Sequence, residues 1–440
     1  MTVIDKKILH IALPSIMSNI TVPLLGLVDM AIVGHLGKAS YIGAIAVGGM
    51  IFNVLYWLFG FLRMGTSGMT SQAYGERKFG EVMLLLQRST AIGLLTALLF
   101  LIFQQPLLSS ALFLIRPDAE VAPLVATYFR ICIWGAPAML SIYSMTGWFI
   151  GMQNTRIPMM IAIFQNIINI LVSLVLVYVV GMTIDGVALG TLIAQYAGCL
   201  MGMGLWYYYY YPHLKTHIHW QGFFRKKQMM SFFSVNRDIF LRTLCLVAVN
   251  LFFTSAGAAQ GNIILAANTL LLQLFTLFSY IMDGFAYAGE ALSGKYYGAK
   301  NKEAFDNTIR HTFLWGGFIT LLFTLIYWIG GQAFLSLLTN DPTVLQASLP
   351  YLSWAILIPV AGVAAFIWDG VFIGITATRG MLISSALATL IFFGCYHLAA
   401  SLWENHALWL AFILYLGSRS LVQTWLFRRL GTQHAESTRI

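Results

Sequence analysis

A chain of 440 residues in which 59% are hydrophobic and only 9% are charged, with a mean hydropathy of +0.78, is not a water-soluble globular protein. Its net charge of +9 does not describe a nucleic-acid surface either, because the basic residues are distributed among the breaks between apolar segments. The composition defines an all-α integral membrane protein.

A bilayer core roughly 30 Å thick needs about 20 apolar residues per helix. In chain order such windows fall near 8–33, 41–64, 82–103, 124–150, 158–180 and 184–206, then near 238–257, 264–291, 309–328, 350–374, 380–400 and 407–426, predicting twelve transmembrane helices. The first window exceeds a signal peptide's apolar region of about 7–15 residues and has no small-residue cleavage site, so it is expected to stay in the protein. Cys132, Cys199, Cys245 and Cys395 all fall inside predicted helices without paired spacing and read as apolar packing residues. Residues 207–237 form a basic, aromatic-rich linker whose tyrosine run suits the headgroup level of a membrane. His217 and His219 there have no acidic or cysteine companions, so an interfacial loop is expected rather than a metal site.

The basic residues alternate by loop. Seventeen of the 25 Lys and Arg lie at the termini, in the central loop and in alternate loops beginning with 75–81; the intervening loops hold two, Lys38 and Arg116. This positive-inside asymmetry places both termini in the cytoplasm and independently supports an even number of spans.

An internal repeat organises the chain. Tyr74-Gly75 returns as Tyr297-Gly298, an offset of 223 residues (75 to 298), and the same offset pairs Asp118 with Asp341 and Tyr128 with Tyr351. It also aligns "GWFIGMQNTR" (147–156) with "GVFIGITATR" (370–379), matching Gly147 with Gly370 and Gly151 with Gly374. Matches of Gly, Asp, Tyr and Thr-Arg without a gap over so long a stretch predict two six-helix lobes, 1–206 and 238–427, joined by the 207–237 linker and followed by a cytoplasmic tail, 428–440. Six is even, so both lobes have the same topology and form a parallel repeat, an arrangement of carriers whose site faces alternately inward and outward. No nucleophile with a base and no metal-ligand constellation argues for an enzyme.

Asp29, in "GLVDMAIVGHLG" (26–37), is the only acid in an apolar run that starts at Ile8. About 21 residues into its span, at roughly 1.5 Å each, it is expected in the outer half of the membrane. The repeat offset lands on Phe252, so fold symmetry does not require this acid, and a charge at membrane depth costs at least about 2.5–3.5 kcal/mol. Candidate partners are Asn166, Asn169 and Ser173, at i, i+3 and i+7 on one face of the fifth helix, and Thr191 on the sixth. Such residues also simply join helices in bilayers; grouped around a lone acid they point to function. A carboxyl in an apolar crevice disfavours a bare charge, so it needs partners or a proton, and water entry lets the proton leave. The expectation is that Asp29 alternates between a protonated, hydrogen-bonded state and an ionised, solvated one. Pro23, six residues earlier, removes a backbone hydrogen bond and gives that helix a place to bend.

The second half has acids at Asp283, Glu290 and Asp369, where the offset finds Gly60, Ser67 and Thr146. Glu290 and Asp369 fall near cytoplasmic helix ends, where easy hydration and structural roles are expected. Asp283 lies deeper, open between attracting a cation, carrying a second proton, or pairing with a residue such as Arg63 or Tyr287.

The stretches "LPSIMSNITVPLLGLVDMAIVGHLG" (13–37), "SQAYGERK" (71–78), "GVALGT" (186–191) and "DGFAYAGEALSGKYYGAKN" (283–301), set in two six-helix halves, resemble the multidrug and toxic compound extrusion (MATE) transporters, specifically the DinF-like branch. The similarity covers essentially the whole chain. It implies a MATE/MOP-type fold with a V-shaped cavity between lobes and an antiporter, working as a monomer in the bacterial inner membrane without a cofactor. Such a protein exports cationic or amphiphilic organic compounds in exchange for H⁺, or alternatively Na⁺. By the same resemblance Asp29 matches the main coupling residue, with Asn169 and Thr191 in the polar positions around it. Ser173 departs from the pattern, standing where branch members with a second buried acid carry aspartate. It cannot ionise, which weakens a Na⁺ site and favours a scheme with one proton per cycle. A flippase for lipid-linked precursors is the runner-up and would need cavity cations, for which Arg63, Arg130, Arg242 and Arg419 are the candidates.

Overall fold

A computed structural model describes residues 2–217 and 223–437; His219 lies outside the described residues. No β-strand occurs among them. Two compact units emerge, Leu13–Phe232 and a second comprising Met1–Ala12 with Phe233–Ile440.

The chain opens with α1 (Val3–Gly34), which stays helical through Pro14 and Pro23. Two shorter helices, α2 (Ala39–Leu58) and α3 (Phe61–Gly75), follow one another across a break at Phe59–Gly60. Next come α4 (Phe79–Ile102), α5 (Gln104–Ile115) and α6 (Val121–Cys132), the last continuing through a 3₁₀ turn into α7 (Ala136–Gly151). α8 (Arg156–Leu174) passes into a π-helical turn at Val175–Val179, and α9 (Ile184–Tyr209) and the short α10 (Tyr211–Leu214) follow. α11 (Lys226–Ala259), α12 (Asn262–Gly298), α13 (Lys302–Leu338), α14 (Pro342–Ser348), α15 (Leu352–Gly374) and α16 (Thr378–Ser437) make up the rest. Helix is the form that satisfies every backbone N–H and C=O inside one segment, which a hydrocarbon solvent demands. The same solvent explains why Leu94, Leu95, Leu98 and Leu99 all point outward from α4. At its ends the chain supplies caps: Asn301 accepts from the Ala304 N–H at 3.0 Å to start α13, and Asp341 accepts from the Thr343 N–H at 2.8 Å with Pro342 at the first position of α14.

Eleven helical stretches among the described residues are long and apolar enough to cross a membrane. The last runs 52 residues, Thr378–Arg429, more than twice what a bilayer core requires at roughly 1.5 Å per residue. Its backbone turns non-helical at Glu404 (φ 47°, ψ −119°), and the predicted spans 380–400 and 407–426 lie on either side, so twelve crossings fit.

The repeat is written into the backbone. The α2–α3 pair (39–75) and α12 (262–298) have the same limits at an offset of 223, as do the α4–α5 pair (79–115) and α13 (302–338). Left-handed residues recur at the same offset: Arg77 (φ 59°) with Lys300 (54°), Gln153 (67°) with Thr376 (55°), and Gly181 (81°) with Glu404 (47°). The repeated glycines are crossing points. A Cβ at Gly147 would collide with the Arg63 carbonyl and one at Gly370 with the Ala286 carbonyl; Gly151 and Gly374 abut the carbonyls of Ser67 and Glu290. Small residues let membrane helices approach backbone to backbone. One difference matters: where α2 and α3 break at Gly60, α12 runs on without interruption through Asp283.

In the first unit, buried Arg88 on α4 ties down the start of α11: it donates to the Phe223 carbonyl (3.0 Å), to Glu81 (2.7 Å) and to Gln228 Oε1 (2.8 Å). In the second, Asp5 Oδ1 lies 2.8 Å from His311 Nδ1 and accepts from Trp315 Nε1 at 3.1 Å, while Lys7 donates to the Tyr296 hydroxyl at 2.9 Å. All four cysteines are free.

Candidate functional site

Asp29 sits near the end of α1 and is only 4% exposed. Its Oδ1 is buried without a hydrogen-bond partner among the described residues. Tyr128 and Cys132, one turn apart on α6, lie within electrostatic reach of the carboxyl. Tyr128 also interacts with Cys132 and with Thr191 on α9, and its ring fills the space where Gly48 of α2 lacks a side chain. The Cys132 thiol points at the Ala188 carbonyl, 3.7 Å away.

The face of α8 predicted from its spacing looks toward α1 and α9. Asn166 donates to the Thr21 carbonyl of α1 at 3.0 Å, two residues before Pro23. Asn169 is fully buried and donates to the Thr191 hydroxyl at 2.9 Å, which in turn donates to the Val187 carbonyl at 3.1 Å. Ser173, also fully buried, presses against Gly190 of α9. The Asn169 Oδ1 and Ser173 Oγ have no hydrogen-bond partner among the described residues. Just beyond, the π-helical turn presents Tyr178, whose hydroxyl donates to the Ile32 carbonyl at 3.1 Å, one turn past Asp29. The predicted residues therefore form a web joining α8 to α1 and α9, but their described hydrogen bonds go to one another and to backbone, and none reaches Asp29. Pro23 is exposed on α1.

Tyr128 and Cys132 were not among the candidates that composition and spacing supplied. Neither is charged at neutral pH, and Cys132 reads as packing. The available signal was their i, i+4 spacing together with the recurrence of Tyr128 at Tyr351.

The second unit overturns one expectation. Asp369 and Glu290 were expected to hydrate easily near helix ends, yet Asp369 is 7% exposed and Glu290 1%. The flanking helices close over them. Arg242 of α11 and Arg419 of α16 (2.6 Å) both donate to Asp369 Oδ2, and Gln423 donates to Oδ1 at 2.6 Å. Asp283 is half-buried on α12 with Tyr280 close by. No group of three His, Cys, Asp or Glu side chains able to hold a metal occurs among the described residues.

Two repeated helical units of membrane-crossing length, with one buried acid in the first among the described residues, have the architecture of a membrane carrier. A family model, MatE, matches residues 14–175 and 239–394. DNA damage-inducible protein F of Escherichia coli (strain K12) is 36% identical over 436 residues, covering 97% of this chain and 92% of that protein. Rabbit (Oryctolagus cuniculus) multidrug and toxin extrusion protein 1 is 30% identical over 202 residues, 44% of this chain and 34% of its own length. Among solved structures, one described as "Crystal structure of MATE in the bent conformation" superposes with a TM-score of 0.89, covering 99% of this chain and 98% of that one, at 17% identity, which speaks for the fold alone. The chain belongs to the MatE family of multidrug and toxic compound extrusion transporters. Its relatives are transporters and not enzymes.

Proposed function

We propose that the protein is a proton-coupled exporter of cationic or amphiphilic organic compounds, in which Asp29 carries the proton. The single observation that supports this most is the burial of the Asp29 carboxyl without a hydrogen bond or ion pair among the described residues. An ionised carboxylate in such a place is costly, whereas a protonated one is neutral and needs at most one acceptor. Protonation from outside neutralises the carboxyl, lets the surrounding helices close on it and expels the exported compound. Release of the proton to the cytoplasm restores a charge that attracts the next cation. α1 is the element that moves, bending at Pro23, where the backbone lacks one hydrogen bond. Both termini face the cytoplasm on this reading, supported by the loop charges; the protein is a monomer of the bacterial inner membrane.

A second reading, coupling to Na⁺, draws on the unpartnered oxygens of Asn169 and Ser173, the hard neutral ligands that a sodium ion takes. Flippase activity is the less favoured reading because Arg242 and Arg419, two of its candidate cations, are more than nine-tenths buried in one cluster with Asp369, where a bulky lipid headgroup has no room.

Purified protein in vesicles with an imposed pH gradient, at constant Na⁺, provides the test. Accumulation of a cationic dye is expected to follow the proton gradient in the wild type and to be lost in Asp29→Asn. Transport that ignores the pH gradient but follows a Na⁺ gradient would replace the first reading by the second.

A further inference from the structure

The cluster around Asp369 holds more positive charge than its one carboxylate balances. Arg242 comes from the middle of α11, Asp369 from the last two turns of α15, and Tyr415, Arg419 and Gln423 stand four residues apart on one face of α16. All five residues are more than nine-tenths buried. Both guanidiniums donate to the same oxygen, Asp369 Oδ2, and Gln423 donates to the other, so neither arginine has the two-oxygen pairing of a bidentate bridge. The next acid along α11, Asp238, is already held by Arg237 at 2.9 Å and faces the Thr378 hydroxyl at 3.4 Å. Two arginines against one aspartate leave one net positive charge.

The unused hydrogen-bonding groups carry the argument further. The Nε–H of Arg242 and the Nε–H of Arg419 are buried without a partner among the described residues, and Gln423 Oε1 is the acceptor of the cluster in the same condition; the Tyr415 hydroxyl lies against Arg419, which leaves its own O–H to donate. Buried donors on a charged group are rarely left unmade, and a guanidinium offers its Nε–H edge as part of a fork that fits a carboxylate or a halide.

We propose that this cluster in the second unit is an anion site. It takes one monovalent anion, a free halide or the carboxylate of a transported compound, against the Nε–H edges of Arg242 and Arg419 with the Tyr415 hydroxyl as a third donor. The site stands independently of proton coupling at Asp29.

The test uses the purified full-length protein in detergent at fixed pH, with bromide replacing sulfate at constant ionic strength and constant Na⁺. Thermal unfolding is expected to rise saturably with bromide, and the anomalous signal of bromide in crystals is expected beside Arg242 and Arg419. Arg242→Gln, which leaves Asp369 and Arg419 as a one-to-one pair, should shift the bromide midpoint upward by about tenfold or more, the value of a charged hydrogen bond. Arg419→Lys keeps the charge and loses the fork, so it too should weaken binding in a protein that still elutes as a single species. Asp369→Asn should be less stable than the wild type yet gain more from bromide, because its two guanidiniums then lack any counter-charge. Benzoate against benzamide separates the sources: benzoate that displaces bromide where benzamide does not assigns the site to a compound's carboxylate, and bromide binding indifferent to benzoate assigns it to free halide. Unfolding that does not respond saturably to bromide, or a midpoint unchanged in Arg242→Gln, overturns the proposal.

Discussion

Asp29 and Asp369 are both buried aspartates in membrane-crossing helices, and they could hardly be surrounded more differently. Asp369 accepts from two guanidiniums and an amide, whereas Asp29 Oδ1 accepts no hydrogen bond among the described residues and has only Tyr128 and Cys132 within electrostatic reach. The difference teaches how to read an acid in a bilayer. Burial alone does not mark a coupling residue; a saturated carboxylate is a permanent charge that holds helices together, and an unsatisfied one is free to trade its proton.

The comparison breaks most visibly in the second unit. Asp369→Ala leaves Arg242 and Arg419 buried without a counter-charge and is expected to cost about 3–5 kcal/mol, read as a fall in the thermal unfolding midpoint in detergent. Next come the crossing glycines. Gly147→Ala and Gly370→Ala each push a methyl into a carbonyl of the neighbouring helix and should each cost about 1–3 kcal/mol. Because the two collisions are related by the repeat, their costs should match; a large inequality would mean that the halves are not packed alike. Asn166→Ala removes one hydrogen bond from α8 to α1 and is expected to cost about 1 kcal/mol in the same assay. The smallest effect is at Asp29 itself. Asp29→Asn removes no described hydrogen bond, so the variant should unfold within about 1 kcal/mol of the wild type, on the stable side, while losing gradient-driven transport. A strongly destabilised Asp29→Asn would make this acid a structural group like Asp369.

Much of the fold was legible because the bilayer imposes a strong pattern. Twelve apolar windows and an offset of 223 appear directly in the residues, and the offset fits because Gly147, Gly151, Gly370 and Gly374 answer to a physical need, the approach of one helix backbone to another. Other features were hidden for equally physical reasons. The segment from Arg63 to Gly75 is too polar to extend the second span, yet it continues as α3 because its small residues pack inside the unit. The break between the predicted spans 380–400 and 407–426 was legible, but nothing in the Glu404 side chain told of its positive φ; only its repeat partner, Gly181, marks that conformation. The i, i+3, i+7 pattern of Asn166, Asn169 and Ser173 puts them on the face of α8 that meets α1 and α9, but spacing alone did not tell that their described hydrogen bonds stop short of Asp29. That Tyr128 and Cys132 come within electrostatic reach of Asp29 depended on how α6 packs among its neighbours, a tertiary fact that periodicity does not carry. The pairing of Asp369 was illegible likewise, since its partners come from α11 and α16, far away in the chain.

The central claim is that Asp29 exchanges one proton as the compound is carried. The most direct measurement is the number of protons released when a cationic compound binds to the purified protein in weakly buffered detergent solution, counted by a pH indicator against the amount bound. The account predicts close to one proton per bound cation in the wild type and none in Asp29→Asn, with Asp369 unaltered in both. Equal release from the two proteins would contradict it.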